Sequence, residues 1–341
     1  MKALAKRVVR QTAGDKRVIA LMIVAPLLIL TLLYLLLGGT SYKPTVAIDN
    51  STLPPALVSA LERQDVNLKD TTITDSFDTK GFLSENRDVD AVFSVSRTGM
   101  SITMYEEDSK SGAALKAIQS AAAALNPSSG METAFVIGSA DESTFDALGY
   151  VFLGVISFFL IFIVSGMALV RERSGGTLER MLMTPVTRRG VVAGYTAGYS
   201  LFAVLQAVVL VLFSIYALGV SCRGNVVWVV LVMLLLAISA VAFGELISIF
   251  ANTEFQVVQL IPIAIIPQIF FSGLIPLDTI PYHLGYLGYI MPIFYGSTAI
   301  KEVMRVGGGF GAIWPYMLAL LGYIAILSVL NTLALKKYRR L

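Results

Sequence analysis

The stretch Val18-Ile-Ala-Leu-Met-Ile-Val-Ala-Pro-Leu-Leu-Ile-Leu-Thr-Leu-Leu-Tyr-Leu-Leu-Leu37 contains no charged residue. At 1.5 Å per residue, about 20 helical residues cross the roughly 30 Å hydrocarbon core of a bilayer. Further apolar stretches fall at about 147–170, 196–219, 226–250, 256–275 and 312–335, and some hundred polar residues separate the first from these five. Helices satisfy their own backbone hydrogen bonds in lipid, so the stretches read as helices. The expected fold is an α-helical integral membrane protein with six transmembrane helices and an α+β extracellular domain inserted after the first. Composition agrees: 56% hydrophobic, 14% charged, mean hydropathy +0.74, outside the range of an ordinary soluble globule.

Charge sets the expected orientation. Lys2, Lys6, Arg7, Arg10, Lys16 and Arg17 precede the first crossing. Arg171, Arg173, Arg180, Arg188 and Arg189 follow the second, and Lys336, Lys337, Arg339 and Arg340 follow the sixth. Six crossings put these three regions on one side, and the excess of Lys and Arg makes that side cytoplasmic. The reading is a multi-pass protein of the cell membrane with both termini inside, a basic interfacial segment at 1–17, a first helix over 18–39, an external domain at 40–146 and the remaining helices within 147–341. A cleaved signal peptide is the rival for residues 1–39. The apolar run is too long for a signal core, and Gly38-Gly39-Thr40 is a poor cleavage site.

The insert holds 16 acids and 8 bases. Val46–Asp49, Ala91–Ser96 and Ser101–Tyr105 read as strands, the last two joined by a turn at 97–100. Leu53–Arg63 and Ser111–Leu125 read as helices, the second stopped at Asn126-Pro127. It has no histidine, no cysteine and no glycine-rich phosphate loop; Glu106-Glu107-Asp108 reads as a solvated turn in preference to a cation site. Across the whole chain one cysteine, Cys222, and one histidine, His283, leave little to assemble a catalytic or metal site. No G-x-x-x-x-G-K-[ST] loop occurs, so no cofactor is expected on this chain.

After the second crossing stands Arg171-Glu-Arg-Ser-Gly-Gly-Thr-Leu-Glu-Arg-Met-Leu-Met-Thr-Pro185. Leu178, Met181 and Leu182 share a helical face while Glu179 and Arg180 point elsewhere. Ser174 or Thr177 can cap the start, and Pro185 ends the helix. Such a helix rests in lipid headgroups or docks a protein, and the pattern alone does not separate the two.

Here the sequence resembles a family. RERSGGTLERMLMTPVTRRG (171–190) is similar to the loop between helices two and three of type-2 ATP-binding-cassette exporter permeases, which reads roughly R-E-R-x-x-G-T-L-E-x-L-x-x-T-P. FSGLIPLDTIPYHLGYLGYIMPIFYGSTAIKEVM (271–304) resembles the family's fifth-helix exit. The large insert resembles the subgroup with an extracellular domain after helix one. Gly175-Gly176 departs from the pattern, which often has a charged residue before a single glycine. The resemblance implies a permease moving an amphiphilic substrate (a drug, peptide antibiotic or lipid), with ATP and Mg bound on a separate cytoplasmic ATPase subunit. It implies a second permease subunit, identical or related, and no nucleic acid. The coupling loop 171–194 would hold that ATPase: Leu178, Met181 and Leu182 entering a groove on it, Glu172, Arg173, Glu179 and Arg180 at the rim, with Arg171, Gly176, Thr177 and Pro185 also in the docking loop. Residues 2–17 resemble the family's interfacial helix, and they also fit a simple positive-inside anchor.

Within the bilayer, Gly190, Gly194 and Gly198 repeat every four residues and favour close helix packing, inside the bundle or at a dimer seam. Glu245 is the acid well inside a crossing. Pairing with a neighbouring helix or with Arg171 is expected before proton transport. Gln206, Gln256, Gln259 and Gln268 line a pathway or bond across helices. Pro262, Pro267 and Gly273 loosen the fifth helix. Segment 276–311, with Pro276, Pro281 and Pro292, fits an external re-entrant hairpin, or a loop lying on the membrane; with Ser272 and Gly273 it corresponds to the family's outer gate. A receptor or scaffold displaying an acidic external domain is the alternative of a different class.

Overall fold

The computed structural model describes residues 2–37, 43–64, 66–73, 77–86, 88–96, 99–104, 109–125, 144–184, 186–275, 277 and 280–335. They divide into two compact units, 1–38 with 137–341 and 39–136.

Among its described residues the first unit has helices and no strand. Six of its helices are long and apolar enough to cross a membrane: α2 (Lys16–Leu37), α6 (Thr144–Ser174), α8 (Arg188–Leu212), α9 (Val226–Ser248), α10 (Glu254–Ile269) and α12 (Phe310–Ala334). A π-helical turn extends α8 through Phe213–Ala217 and another extends α10 through Phe270–Leu274. α9 lies at the centre and packs on α6, α8 and α12. Its Val232, Leu236, Ala240 and Val241 are fully buried, while α2 and α12 leave leucine-rich faces exposed, as lipid-facing helices do. Thr253 caps α10: its hydroxyl accepts from Gln256 N, while Gln256 Oε1 accepts from Asn252 N, the residue before the cap. Gln256 thus bonds within the start of its own helix.

Three boundaries differ from the sequence expectation. α1 (Lys2–Gly14) is a separate amphipathic helix packed along α8. α6 continues through Ser174, and α8 starts at Arg188, so the ends of the expected coupling loop are helical. At 31 residues α6 is roughly 46 Å long. That exceeds a bilayer core, and Arg171–Ser174 form the extra turn at its end. Charge marks where lipid stops, not where a helix does. Beyond α10 come a 3-10 stretch over Pro281–Ile290 and α11 (Pro292–Lys301). α11 is about 15 Å long, too short to span. It nevertheless packs on α6, α9 and α12 with Ile293, Ala299 and Ile300 fully buried.

The second unit is α+β. β1 (Thr45–Ile48) lies parallel to β2 (Asn67–Asp70) and β3 (Ala91–Ser96), and β3 forms a hairpin with β4 (Gly99–Met104), giving the order β2-β1-β3-β4. Alternation along the strands splits the core. Val46, Ile48, Ala91 and Phe93 face α3 (Pro55–Glu62) and α5 (Ser109–Leu125), where Leu57, Leu61 and Ile118 meet them. Ala47 and Val92 face the other way, with Leu83 of α4 (Thr79–Glu85). Asp49 holds the turn after β1: Oδ1 accepts from the Ser51 hydroxyl at 2.5 Å and Ser51 N at 2.9 Å, Oδ2 from Ile73 N at 2.9 Å. Glu106–Asp108 and Asn126-Pro127 lie outside the described residues.

Candidate functional site: the loop between α6 and α8

Consecutive helical positions step about 100° around the axis, so Arg171, Glu172 and Arg173 reach different neighbours. Arg171 Nε donates to Glu254 Oε1 at 2.9 Å, tying α6 to α10. The buried Glu172 accepts from Arg7 Nη2 at 3.2 Å, tying α6 to α1. Arg173 Nη1 donates to Ala251 O at 2.6 Å, in the turn between α9 and α10. The last turn of α6 is thus a hub that joins three other elements, and Glu172 and Arg173 are not free to serve as a rim. Arg171 pairs with Glu254; of the two pairings expected for Glu245, with a neighbouring helix or with Arg171, the second is not formed.

The chain then reverses. Gly175 N and Gly176 N donate to Arg171 O and Arg173 O, and Gly176 adopts φ +65°, a conformation that costs glycine nothing. The hydroxyls of Ser174 and Thr177 donate to Arg171 O and Glu172 O. They close the end of α6; they do not cap the next helix as expected. That helix, α7 (Thr177–Leu182), is one and a half turns long. Leu178 is 1% exposed and lies in the core of its own unit, with Met181 packed beside it. Met181 Sδ receives Arg7 Nη1 at 3.3 Å and the Tyr195 hydroxyl at 3.9 Å. Leu178 and Met181, expected to enter a partner, therefore face inward. Periodicity showed that the face is buried; it carried no information about what buries it. The surface is formed instead by Met183, 89% exposed, with Arg180 and Val186 also exposed. Pro185 and the side chains of Glu179 and Leu182 lie outside the described residues. Thr187 caps α8, accepting from Gly190 N at 3.2 Å.

The glycine repeat packs α1. A Cβ on Gly194 would stand 2.7 Å from Leu4 Cδ2, and one on Gly198 2.6 Å from Val8 Cγ1. These two glycines form the bed of the N-terminal helix, which Arg7 then pins to Glu172 and Met181.

In the bundle, Glu245 accepts from the Thr196 hydroxyl of α8 at 2.8 Å and from Asn331 Nδ2 of α12 at 3.5 Å. Asn331 also donates to Ala242 O at 2.9 Å. The acid is a three-helix polar node. Gln206 is buried, and its amide finds no partner among the described residues. Gln259 is exposed on α10. Gln268 is buried and accepts from Ile293 N at 3.5 Å, joining α10 to α11. In the same contact the Ser297 hydroxyl bonds Ser272 O, and Gly273 breaks the helix at φ +91°. Pro281 opens the 3-10 stretch and is exposed; Pro292 opens α11 and is buried; Pro276 lies outside the described residues.

Glu254, Met183, Arg7 and Asn331 were missed in the sequence. One signal was readable: Thr253-x-x-Gln256 marks a helix start and places Glu254 in its first turn. No comparable signal exists for Arg7 and Asn331, because each is defined by a neighbour distant in sequence, and none for Met183, whose exposure follows from the seating of α7.

The family described as ABC-2 family transporter protein matches residues 16–333. That span includes all six long helices and the inserted domain, so the chain belongs to the ABC-2 transporter family. Among curated proteins it is 26% identical over 208 residues to ABC transporter G family member 20 of Dictyostelium discoideum, covering 60% of this chain and 28% of that one. It is 26% identical over 181 residues to the probable multidrug ABC transporter permease YbhR of Escherichia coli, covering 53% of this chain and 48% of that one. It is likewise 26% identical over 183 residues to the E. coli inner membrane transport permease YhhJ, at 53% and 48%. The matched segments span about half or less of these relatives.

Proposed function

We propose that this chain is the permease subunit of an ATP-binding-cassette exporter, worked by a separate cytoplasmic ATPase and moving an amphiphilic substrate. The observation that carries the reading is a rigidly backed loop in a chain of this family. α7 sits on the core through Leu178, its neighbouring turn of α6 is bonded to α1 and α10, and Met183 is left standing free. A partner that pushes on Met183, Arg180 and Val186 moves α6, α1 and α10 with them, which is how docking on a short helix becomes a rigid-body displacement of spans. The clustering of Lys and Arg before α2 and around 171–189 supports a cytoplasmic side for this loop and for both termini. A second permease subunit completes the pathway. The long exposed face of α10, Phe255, Gln259, Ile263 and Phe270, supports a contact there, since Gln259 needs a polar neighbour in lipid. The names of the E. coli relatives support transport as the activity, and multidrug export as one substrate class.

The test is co-reconstitution with its cassette ATPase in proteoliposomes. Amphiphilic substrates should stimulate ATP hydrolysis. Met183→Asp should weaken the ATPase contact by roughly 30-fold, the effect of losing one apolar anchor of about 2 kcal/mol, while the chain's own melting temperature stays unchanged. Full stimulation in that variant would refute the docking surface.

A further inference from the structure

α8, α9 and α12 enclose an open groove of about 670 Å³, within the range of small-molecule sites. One wall is Arg189, Thr196, Ala197 and Ser200 on α8; the facing wall includes Ser328 and Thr332 on α12. Arg189 is the second residue of α8 and stands exposed at one end, and no partner for its guanidinium is found among the described residues. From Arg189 to Ser200 the groove runs eleven residues along α8, roughly 16 Å. That is half of the approximately 30 Å hydrocarbon core, the depth of one leaflet. Ala197 and Val329 are exposed along its length.

From this we infer that the groove is a binding site for an anionic amphiphile, its headgroup on Arg189 and one acyl chain laid between α8 and α12. A cation at the water end fits a phosphate or carboxylate. Mainly apolar walls one leaflet deep fit a chain. A second protein helix would need an apolar stripe across the whole bilayer, whereas this groove ends at mid-depth, and Arg189 is the charged residue among the described residues that line it. The inference rests on α8 and α12 crossing the membrane and not on transport or on an ATPase.

The test uses the full-length protein in detergent, with bound lipid read by native mass spectrometry. The probes are dioleoyl phosphatidylglycerol, dioleoyl phosphatidylcholine and oleate. Wild type should hold phosphatidylglycerol about fivefold more strongly than phosphatidylcholine, the effect of one basic residue at the surface. Arg189→Gln should level the two, and Ala197→Phe or, from the opposite wall, Ser328→Phe should lose both. Oleate displacing phosphatidylglycerol would identify a fatty acid as the source of the same chemistry. Equal binding of the two phospholipids by wild type would overturn the site. So would headgroup selectivity surviving all three variants, or a dimer that Ala197→Phe dissolves, because the groove would then be a seam between copies. Loss of ATPase stimulation with lipid selectivity intact would strike the transport reading alone.

Discussion

Glu172 is buried while its partner Arg7 is half-exposed, and that asymmetry has a measurable consequence. Arg7→Ala leaves a carboxylate in a poorly solvated place without its cation; Glu172→Gln leaves the cation in contact with water. Arg7→Ala should therefore destabilise the detergent-solubilised protein by about 1–2 kcal/mol, and Glu172→Gln by less than half as much. Adding Glu172→Gln to Arg7→Ala should recover part of the loss, so melting temperatures of the two singles and the double decide the matter. Purely additive losses would show that the pair does not interact. In the other unit, Asp49 is held below the ordinary 3.8, first by the Ser51 hydroxyl and then by the Ile73 and Ser51 amides. A depressed carboxyl stabilises the fold above its unfolded value and loses that stabilisation as pH falls through its folded one. Acid titration of the melting temperature below 3.8 should thus be steeper for wild type than for Asp49→Asn. Parallel curves would contradict the assigned bonds. Residues of this kind are the least legible from sequence. Glu172 looked like any loop acid because nothing local announces a partner 165 positions away.

At the scale of elements, the glycines of α8 and the small residues' spacing were readable, and their partner was not. A Gly194–Gly198 surface admits any close neighbour; the structure places α1 there through Leu4 and Val8. Gly198→Ala should push α1 off its bed, because both Val8 Cγ1 and Val8 Cβ lie within 2.7 Å of the added carbon. The overpacking should cost about 1–3 kcal/mol, and tryptic cleavage at Lys6 and Arg10 should become faster. Unchanged cleavage would mean that α1 is not seated on α8. α7 teaches the same lesson from the other side. Leu178→Asp buries a charge within the chain's own core, so it should lower folded yield and not only partner binding, unlike Met183→Asp. In the inserted domain, β1, β3, β4 and the two longer helices were legible from alternation and turn residues. β2 and α4 were not: Asn67-Leu-Lys-Asp70 shows one apolar residue in four, and Thr79–Glu85 is too short for a helical period to register.

For the whole molecule, the six long helices could be read directly, since a backbone in lipid must bond within its own segment and a charge-free run of about 20 residues has few other fates. What hydropathy could not show is how the loop ends are stitched together. α6 overshoots the apolar run by a turn, and that turn joins α1, α10 and the α9–α10 corner. In the proposed function, this braced loop is the handle by which an ATPase moves the bundle. That role is tested most directly by cross-linking in membranes: a Cys222→Ser background carrying Met183→Cys, co-expressed with its cassette ATPase and treated with a short bismaleimide, beside a Tyr282→Cys control. An ATPase adduct is expected at position 183 and none at position 282. An adduct at 282 alone, or labelling of position 183 by a membrane-impermeant maleimide applied outside intact cells, would contradict it.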